Sequence, residues 1–218
     1  VVINPYLEPG LERYWVPSKA ESFLFGTKLC DLHVPVRPEG DVALANALLK
    51  VLLERNAVDQ AFINQHTSGW DELVQHLSTL DIDELLIDTG IDHATLNALA
   101  DLYADSQSAV LIWSMGITQH RYGVEGVQAI VNVALARGNV GRNGAGLMPI
   151  RGHSGVQGGA EMGAYATAFP GGVTVSDESA RDLSALWGFA VPSTPGITAP
   201  EMVLAAERDE LDVLYLDG

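Results

Sequence analysis

Arg151-Gly152-His153 sets a permanently charged guanidinium and a titratable imidazole two residues apart around a glycine. A planar guanidinium grips carboxylate or phosphate through two parallel hydrogen bonds, and an imidazole can carry a proton near neutral pH. The pattern suits an anion clamp beside a proton carrier, and it equally suits a loop tethered by Arg151 to backbone carbonyls. The triplet lies in a stretch, Arg137 to Gly172, that holds half of the chain's 22 glycines together with Arg137 and Arg142. No Asp or Glu occurs between Glu125 and Glu161, on a chain of net charge −16. Glycine lets backbone approach a bound group closely, so this acid-free window points to an anion-carrying ligand held by irregular backbone.

Three further turns could meet a ligand. Asn4-Pro5 follows the strand-like Val1 to Ile3, Arg37-Pro38-Glu39-Gly40-Asp41 follows Leu32 to Val36, and Ser114 to His120 follows Ala109 to Trp113. In open α/β sheets ligands lie beyond the carboxyl ends of strands, and the helix opened by the second turn offers N-terminal amides to phosphate. None of these turns is a glycine fingerprint directly after a strand; Gly138-Asn-Val-Gly141-Arg-Asn-Gly144 follows a helix and lacks that context. His66, His76 and His93 have no partners at ligand spacing, and Asp81, Asp83, Glu84 and Asp88 read as a solvated face. The single cysteine, Cys30, excludes an intramolecular disulfide framework or an all-cysteine metal site within the chain, and reads as a small buried hydrophobe.

The elements that must position these residues alternate between apolar runs and helical patterns. Asp41 is placed to N-cap a helix through about Asn56, with Val42, Ala45, Leu48, Leu49 and Leu52 at helical spacing. Shorter helices are expected at Asp59–Gln65, Trp70–Ser78 and Ile82–Leu86, and Asp92 caps another over His93–Ala104. Ala109–Trp113 reads as a parallel strand covered on both faces, Ser114–Tyr122 as a polar loop, and Val124–Arg137 as a long helix ending at Gly138. Helices follow at Asp177–Trp187 and Ala199–Arg208, and Asp212–Leu216 reads as a last strand. Met148, Ile150, Val156, Met162, Tyr165 and Phe169 argue for burial of the glycine-rich stretch. The alternation predicts an α/β fold with a mostly parallel sheet flanked by helices.

The totals agree with a soluble globular chain: 218 residues, 23.3 kDa, mean hydropathy +0.14 and a pI near 4.5. No apolar run is long enough to span a bilayer. The acidity argues against a nucleic-acid surface. Strand-like ends without outer partners suggest an internal piece of a longer polypeptide, so any targeting signal would lie upstream; a cytoplasmic location is the expectation.

Trp113-Ser-Met-Gly-Ile-Thr-Gln119, Gly138-Asn-Val-Gly-Arg-Asn-Gly-Ala-Gly146 and Pro149-Ile-Arg-Gly-His-Ser-Gly-Val-Gln-Gly158 resemble the molybdopterin oxidoreductases of the dimethyl sulfoxide reductase superfamily, above all formate dehydrogenase alpha subunits. The resemblance implies one Rossmann-like, nucleotide-cofactor-binding domain over residues 1–218, domain III of such enzymes, with 138–172 as the glycine-rich active-site loop. It implies a molybdenum or tungsten bis-pterin guanine dinucleotide in the full-length protein, a 4Fe-4S cluster upstream, and nothing bound to the isolated fragment. By that resemblance Asn4 reads the guanosine end, Arg37, Pro38, Gly40 and Asp41 lie along the nucleotide, and Met115, Gly116 and Gln119 meet the pterin and pyrophosphate. Gly152 lies in the active-site turn, Arg151 orients a small anionic substrate such as formate, and His153 stands beside it where those enzymes often carry glutamine. The metal-ligating residue and the iron–sulfur domain are absent, so the fragment alone is expected to be inactive. Its implied partners are the remaining domains of the subunit and an electron-transfer subunit. A cofactor-free scaffold in a larger redox complex is the alternative, and the central domain of a thiamine-diphosphate enzyme is a third reading.

Overall fold

Two compact units make up the chain, Val1–Ile150 and Arg151–Gly218, in a computed structural model that describes residues 1–153 and 155–216. The first opens with β1 (Val2–Ile3), α1 (Pro9–Glu12), β2 (Arg13–Tyr14), α2 (Ala20–Phe25), β3 (Thr27–Lys28) and β4 (His33–Val34). Five helices follow: α3 (Asp41–Glu54), α4 (Gln60–His66), α5 (Trp70–Thr79), α6 (Ile82–Thr89) and α7 (His93–Asp105). The unit closes with β5 (Val110–Trp113), α8 (Met115–Thr118), α9 (Gly123–Ala136) and β6 (Gly146–Pro149).

The strands form separate two-stranded sheets rather than one continuous sheet. β1 and β4 are parallel with Ile3 opposite Val34, and β5 and β6 are parallel with Trp113 opposite Pro149. β2 and β3 form an antiparallel hairpin on the excursion between β1 and β4. The α/β character expected from the alternation is present, and its parallel pairs are short. β5 runs from Val110 rather than Ala109 and is not covered on both faces: Val110 and Ile112 are about half exposed, while Leu111 and Trp113 are half-buried.

The helices start where the sequence supplies acceptors for orphaned amides. Asp59 accepts from Phe62 N at 2.9 Å, Asp81 from Asp83 N at 2.8 Å, and Asp92 from Thr95 N at 2.8 Å. Asp41 is not the cap of α3; Gly40 takes that position without a side-chain bond, and Asp41 is the first helical residue. Seven residues of α3, including Leu44, Leu48, Leu49 and Leu52, are buried, against α6, α7 and α9. Full burial of side chains such as Leu49 and Leu52 contributes roughly 1.5–3 kcal/mol each. Cys30 belongs to the buried set.

The second unit contains α10 (Val156–Glu161), β7 (Ala168–Phe169), β8 (Val173–Thr174), α11 (Asp177–Trp187) and α12 (Ala199–Glu207), with β7 and β8 antiparallel. Its fully buried apolar residues, among those described, are Ala180 and Ala205. Met148, Ile150, Val156, Met162 and Tyr165 do not enter a core, Met162 being 77 % exposed; Phe169 alone of the expected set is half-buried. Nor do Asp212–Leu216 form a strand: Val213, Tyr215 and Leu216 are each about 80 % exposed, because an apolar run becomes a strand only when it finds a neighbour. Asp217 and Gly218 of that run, and Ser154 of the Arg-Gly-His turn, lie outside the described residues. No helix among the described residues is long and apolar enough to cross a membrane.

Candidate functional site

At the end of β1, the Asn4 side chain donates to Tyr6 O at 2.6 Å and the Asn4 backbone carbonyl meets His33 Nε2 at 2.8 Å. Beyond β4 the chain folds into a tight turn. Arg37 N donates to Thr89 O, Gly40 N donates to Arg37 O, and Glu39 is driven to φ +69°. Asn4 and this turn therefore follow the ends of two paired parallel strands. Arg37 does not line the turn; its Nη1 donates to Ile87 O at 3.0 Å, near the end of α6. The guanidinium stem lies over Gly90, where a Cβ would stand 2.6 Å from Nε. Gly90 adopts φ +73° to close α6, so its missing side chain makes room for Arg37.

Beyond β5, the expected polar loop contains the one-turn helix α8. Ser114 Oγ donates to Ile150 O at 2.9 Å and Gln119 N to Met115 O at 2.8 Å. Met115, Gly116 and Gln119 are exposed, and nothing stands within 4 Å of a Cβ built on Gly116. His120 was not singled out by residue type or spacing, yet it joins the two turns. Its Nδ1 accepts from Tyr122 N at 3.1 Å, which leaves the proton on Nε2. That nitrogen is buried without a partner. The imidazole is close enough to Asp41 to lower the Asp41 pKa. Desolvation is the larger influence, and it holds the carboxyl above its ordinary value against the opposing pull of its own amide and of His120. His120 of the Ser114–His120 turn is thus within electrostatic reach of Asp41 at the start of α3.

The arginines of the glycine-rich stretch are not equivalent. Arg137 donates to the carbonyls of Ala57, Ala104 and Ser106 at 2.7–3.0 Å, and Arg142 to Gln107 O and Asn139 Oδ1. Both serve the loop. In the second unit Arg151 is exposed, as are Gly152 and His153. Its Nη2 donates to Gln157 Oε1 at 3.3 Å, and Gln157 Nε2 donates to Glu161 Oε1 at 3.2 Å. Among the described residues no group of three or more His, Cys, Asp or Glu is placed to hold a metal ion.

An α/β chain with glycine-rich turns at its strand ends and an arginine left open in an acid-free loop agrees with what comparison with known proteins finds. The family model for molybdopterin oxidoreductases matches residues 12–218, and the chain belongs to that family. It is 35% identical over 189 residues to a probable oxidoreductase, YjgC, of Bacillus subtilis, covering 86% of this chain and 19% of that protein. It is 31% identical over 207 residues to formate dehydrogenase H of Escherichia coli, covering 93% of this chain and 28% of the relative. The F420-dependent formate dehydrogenase subunit alpha of Methanocaldococcus jannaschii is 31% identical over 191 residues, with 88% and 28% covered. The chain thus spans about a fifth to a quarter of the length of these relatives. Among solved structures, the acetylene hydratase of Pelobacter acetylenicus matches with a TM-score of 0.50 at 19% identity, over 53% of this chain and 16% of that one, a likeness of fold.

The family implies a molybdopterin cofactor carrying molybdenum or tungsten, and the start of α3 fits the anionic part of such a group. The N-cap residue of α3, Gly40, has no side chain to bond the first-turn amides, of which the Asp41 carboxyl meets its own, and such amides attract anions. Gly116 has open space around its Cα, and among the described residues His120 Nε2 has no hydrogen-bond partner. Asp41 and Glu39 oppose a negative ligand there, so the fit rests on the backbone and on His120.

Proposed function

We propose that this chain is the nucleotide-cradling domain of a molybdenum- or tungsten-dependent oxidoreductase of formate dehydrogenase type, whose Arg151 holds the substrate anion. The observation that carries the reading is the different employment of the three arginines in the acid-free window. Arg137 and Arg142 are engaged by carbonyls, whereas Arg151 keeps an exposed guanidinium whose hydrogen-bond partner among the described residues is a neutral amide. The formate dehydrogenases among the relatives support formate as the anion.

Asn4, Pro38, Gly40, Asp41, Met115, Gly116 and Gln119 would hold one pterin guanine dinucleotide, with α3 amides toward its phosphates. Arg37 supports the same turn from behind by holding α6. The bound cofactor supplies the acceptor for two electrons, with a 4Fe-4S cluster beyond this domain and a partner subunit as the onward path. Formate becomes carbon dioxide by losing two electrons and one proton. Arg151 would bind the carboxylate through two hydrogen bonds and hold it in one orientation. Gly152 lets the backbone approach, and His153 takes up the released proton at its imidazole.

Arg151→Lys in the full-length protein keeps the charge and removes the fork. Formate turnover is expected to fall at least tenfold while metal and pterin content persist; unchanged turnover removes Arg151 from the mechanism. Stoichiometric molybdenum or tungsten in the intact protein excludes the cofactor-free scaffold.

A further inference from the structure

Arg151 is the end of a three-residue chain of alternating chemistry. Its guanidinium donates to the Gln157 carbonyl oxygen, and the Gln157 amide nitrogen donates to the Glu161 carboxylate. Gln157 and Glu161 are four residues apart on α10, so they share one face of that helix. The two ends dictate how the amide must lie: a cation demands the oxygen on one side, and an anion demands the nitrogen hydrogens on the other. Glu161 is also the first acid after Glu125, and Gln157 stands between it and Arg151. A carboxylate paired directly with the guanidinium would occupy the fork that an incoming anion needs. A neutral amide in between orients the fork and leaves its charge uncompensated.

We propose that Gln157 and Glu161 form a positioning relay for Arg151, in which Glu161 locks the Gln157 amide and Gln157 holds the guanidinium open for a small carboxylate or similar oxyanion. The inference rests on the reading of Arg151 as the substrate clamp and adds how that clamp is kept both aimed and charged. Glu161→Gln removes the lock, so the Gln157 amide can flip and present nitrogen to Arg151. Gln157→Glu places a carboxylate on the guanidinium. Gln157→Leu removes the relay without adding charge.

The test uses the full-length, metal-loaded protein, with formate as substrate and azide as a non-reacting anionic probe whose binding is followed by calorimetry. Glu161→Gln is expected to raise the formate KM and the azide Kd about three- to tenfold with kcat within twofold. Gln157→Glu is expected to raise both constants more than tenfold, and Glu161→Asp to restore binding in part. The effects of Gln157→Leu and Glu161→Gln should not add, because either change breaks the same chain. Azide and formate constants within 1.5-fold of wild type in both Glu161→Gln and Gln157→Leu overturn the relay. Azide binding that depends on Arg151 and Glu161 without formate turnover upholds the relay and overturns formate as substrate. A loaded wild-type protein that binds neither anion overturns both.

Discussion

Asn139 is 1 % exposed and every polar group of its side chain is engaged. Its oxygen accepts from Ala109 N and from Arg142 Nη2, and its nitrogen donates to the Tyr103 hydroxyl at 2.8 Å. Burial pushes the Tyr103 hydroxyl pKa upward, while Asn139 and the two nearby arginines pull the other way. Asn139→Leu leaves the Ala109 N–H, one Arg142 N–H and the accepting side of the Tyr103 hydroxyl without their partner and is expected to cost about 2–4 kcal/mol in a denaturant titration; a loss under about 0.5 kcal/mol would show that water replaces the amide. Asp41 gives a prediction in pH. Burial holds its carboxyl above the ordinary 3.8, so the folded chain binds this proton more tightly than the unfolded chain. The stability that this provides is full below the unfolded value and declines as pH rises through the folded one. Asp41→Asn removes that decline, so the variant should gain Tm relative to wild type between acid and neutral pH. A Tm difference that stays constant across that range would contradict it. The sequence identified Asp41 and the turn around it, but the burial that raises its carboxyl and the opposing pull of His120, about eighty residues along the chain, come from tertiary packing and have no local signal.

Among the elements, the helices were the legible part, because Asp59, Asp81 and Asp92 carry their caps in the residues themselves. The capping boxes of Ser176 with Ser179 and of Thr198 with Glu201 carry comparable local signals. Strands were less legible. A strand is defined by its neighbour, and the run at Asp212–Leu216 has none in the described structure, whereas the equally apolar Val110–Trp113 pairs with Gly146–Pro149. The partner of Arg37 at Ile87 was hidden for the same reason, since it is fixed by how α6 ends. Gly90→Ala tests that arrangement. The methyl group meets Arg37 at 2.6 Å in a backbone conformation that side chains rarely adopt. A cost of about 1–2 kcal/mol in thermal denaturation is expected, and an unchanged Tm would show that Arg37 and the α6 terminus yield freely. In this arrangement Arg37 braces the turn against the end of α6.

At the scale of the molecule, the core is one-sided. The buried apolar cluster from Val34 to Ala136 belongs wholly to the first unit, while the second buries only two alanines among its described residues. Residues 1–150 expressed alone are expected to unfold cooperatively on heating, and residues 151–218 alone to show no cooperative transition by circular dichroism. A sharp transition in the second piece would mean that its helices hold without further cover. The longer relatives, of which this chain spans a fifth to a quarter, have ample polypeptide to supply that cover. Leu186, Phe189, Val203 and Leu204 are exposed in the second unit. During synthesis such surfaces are where chaperones and proteases compete. A substitution that exposes more of this surface would therefore be felt first as fewer surviving molecules in the cell, each with Arg151 unaltered.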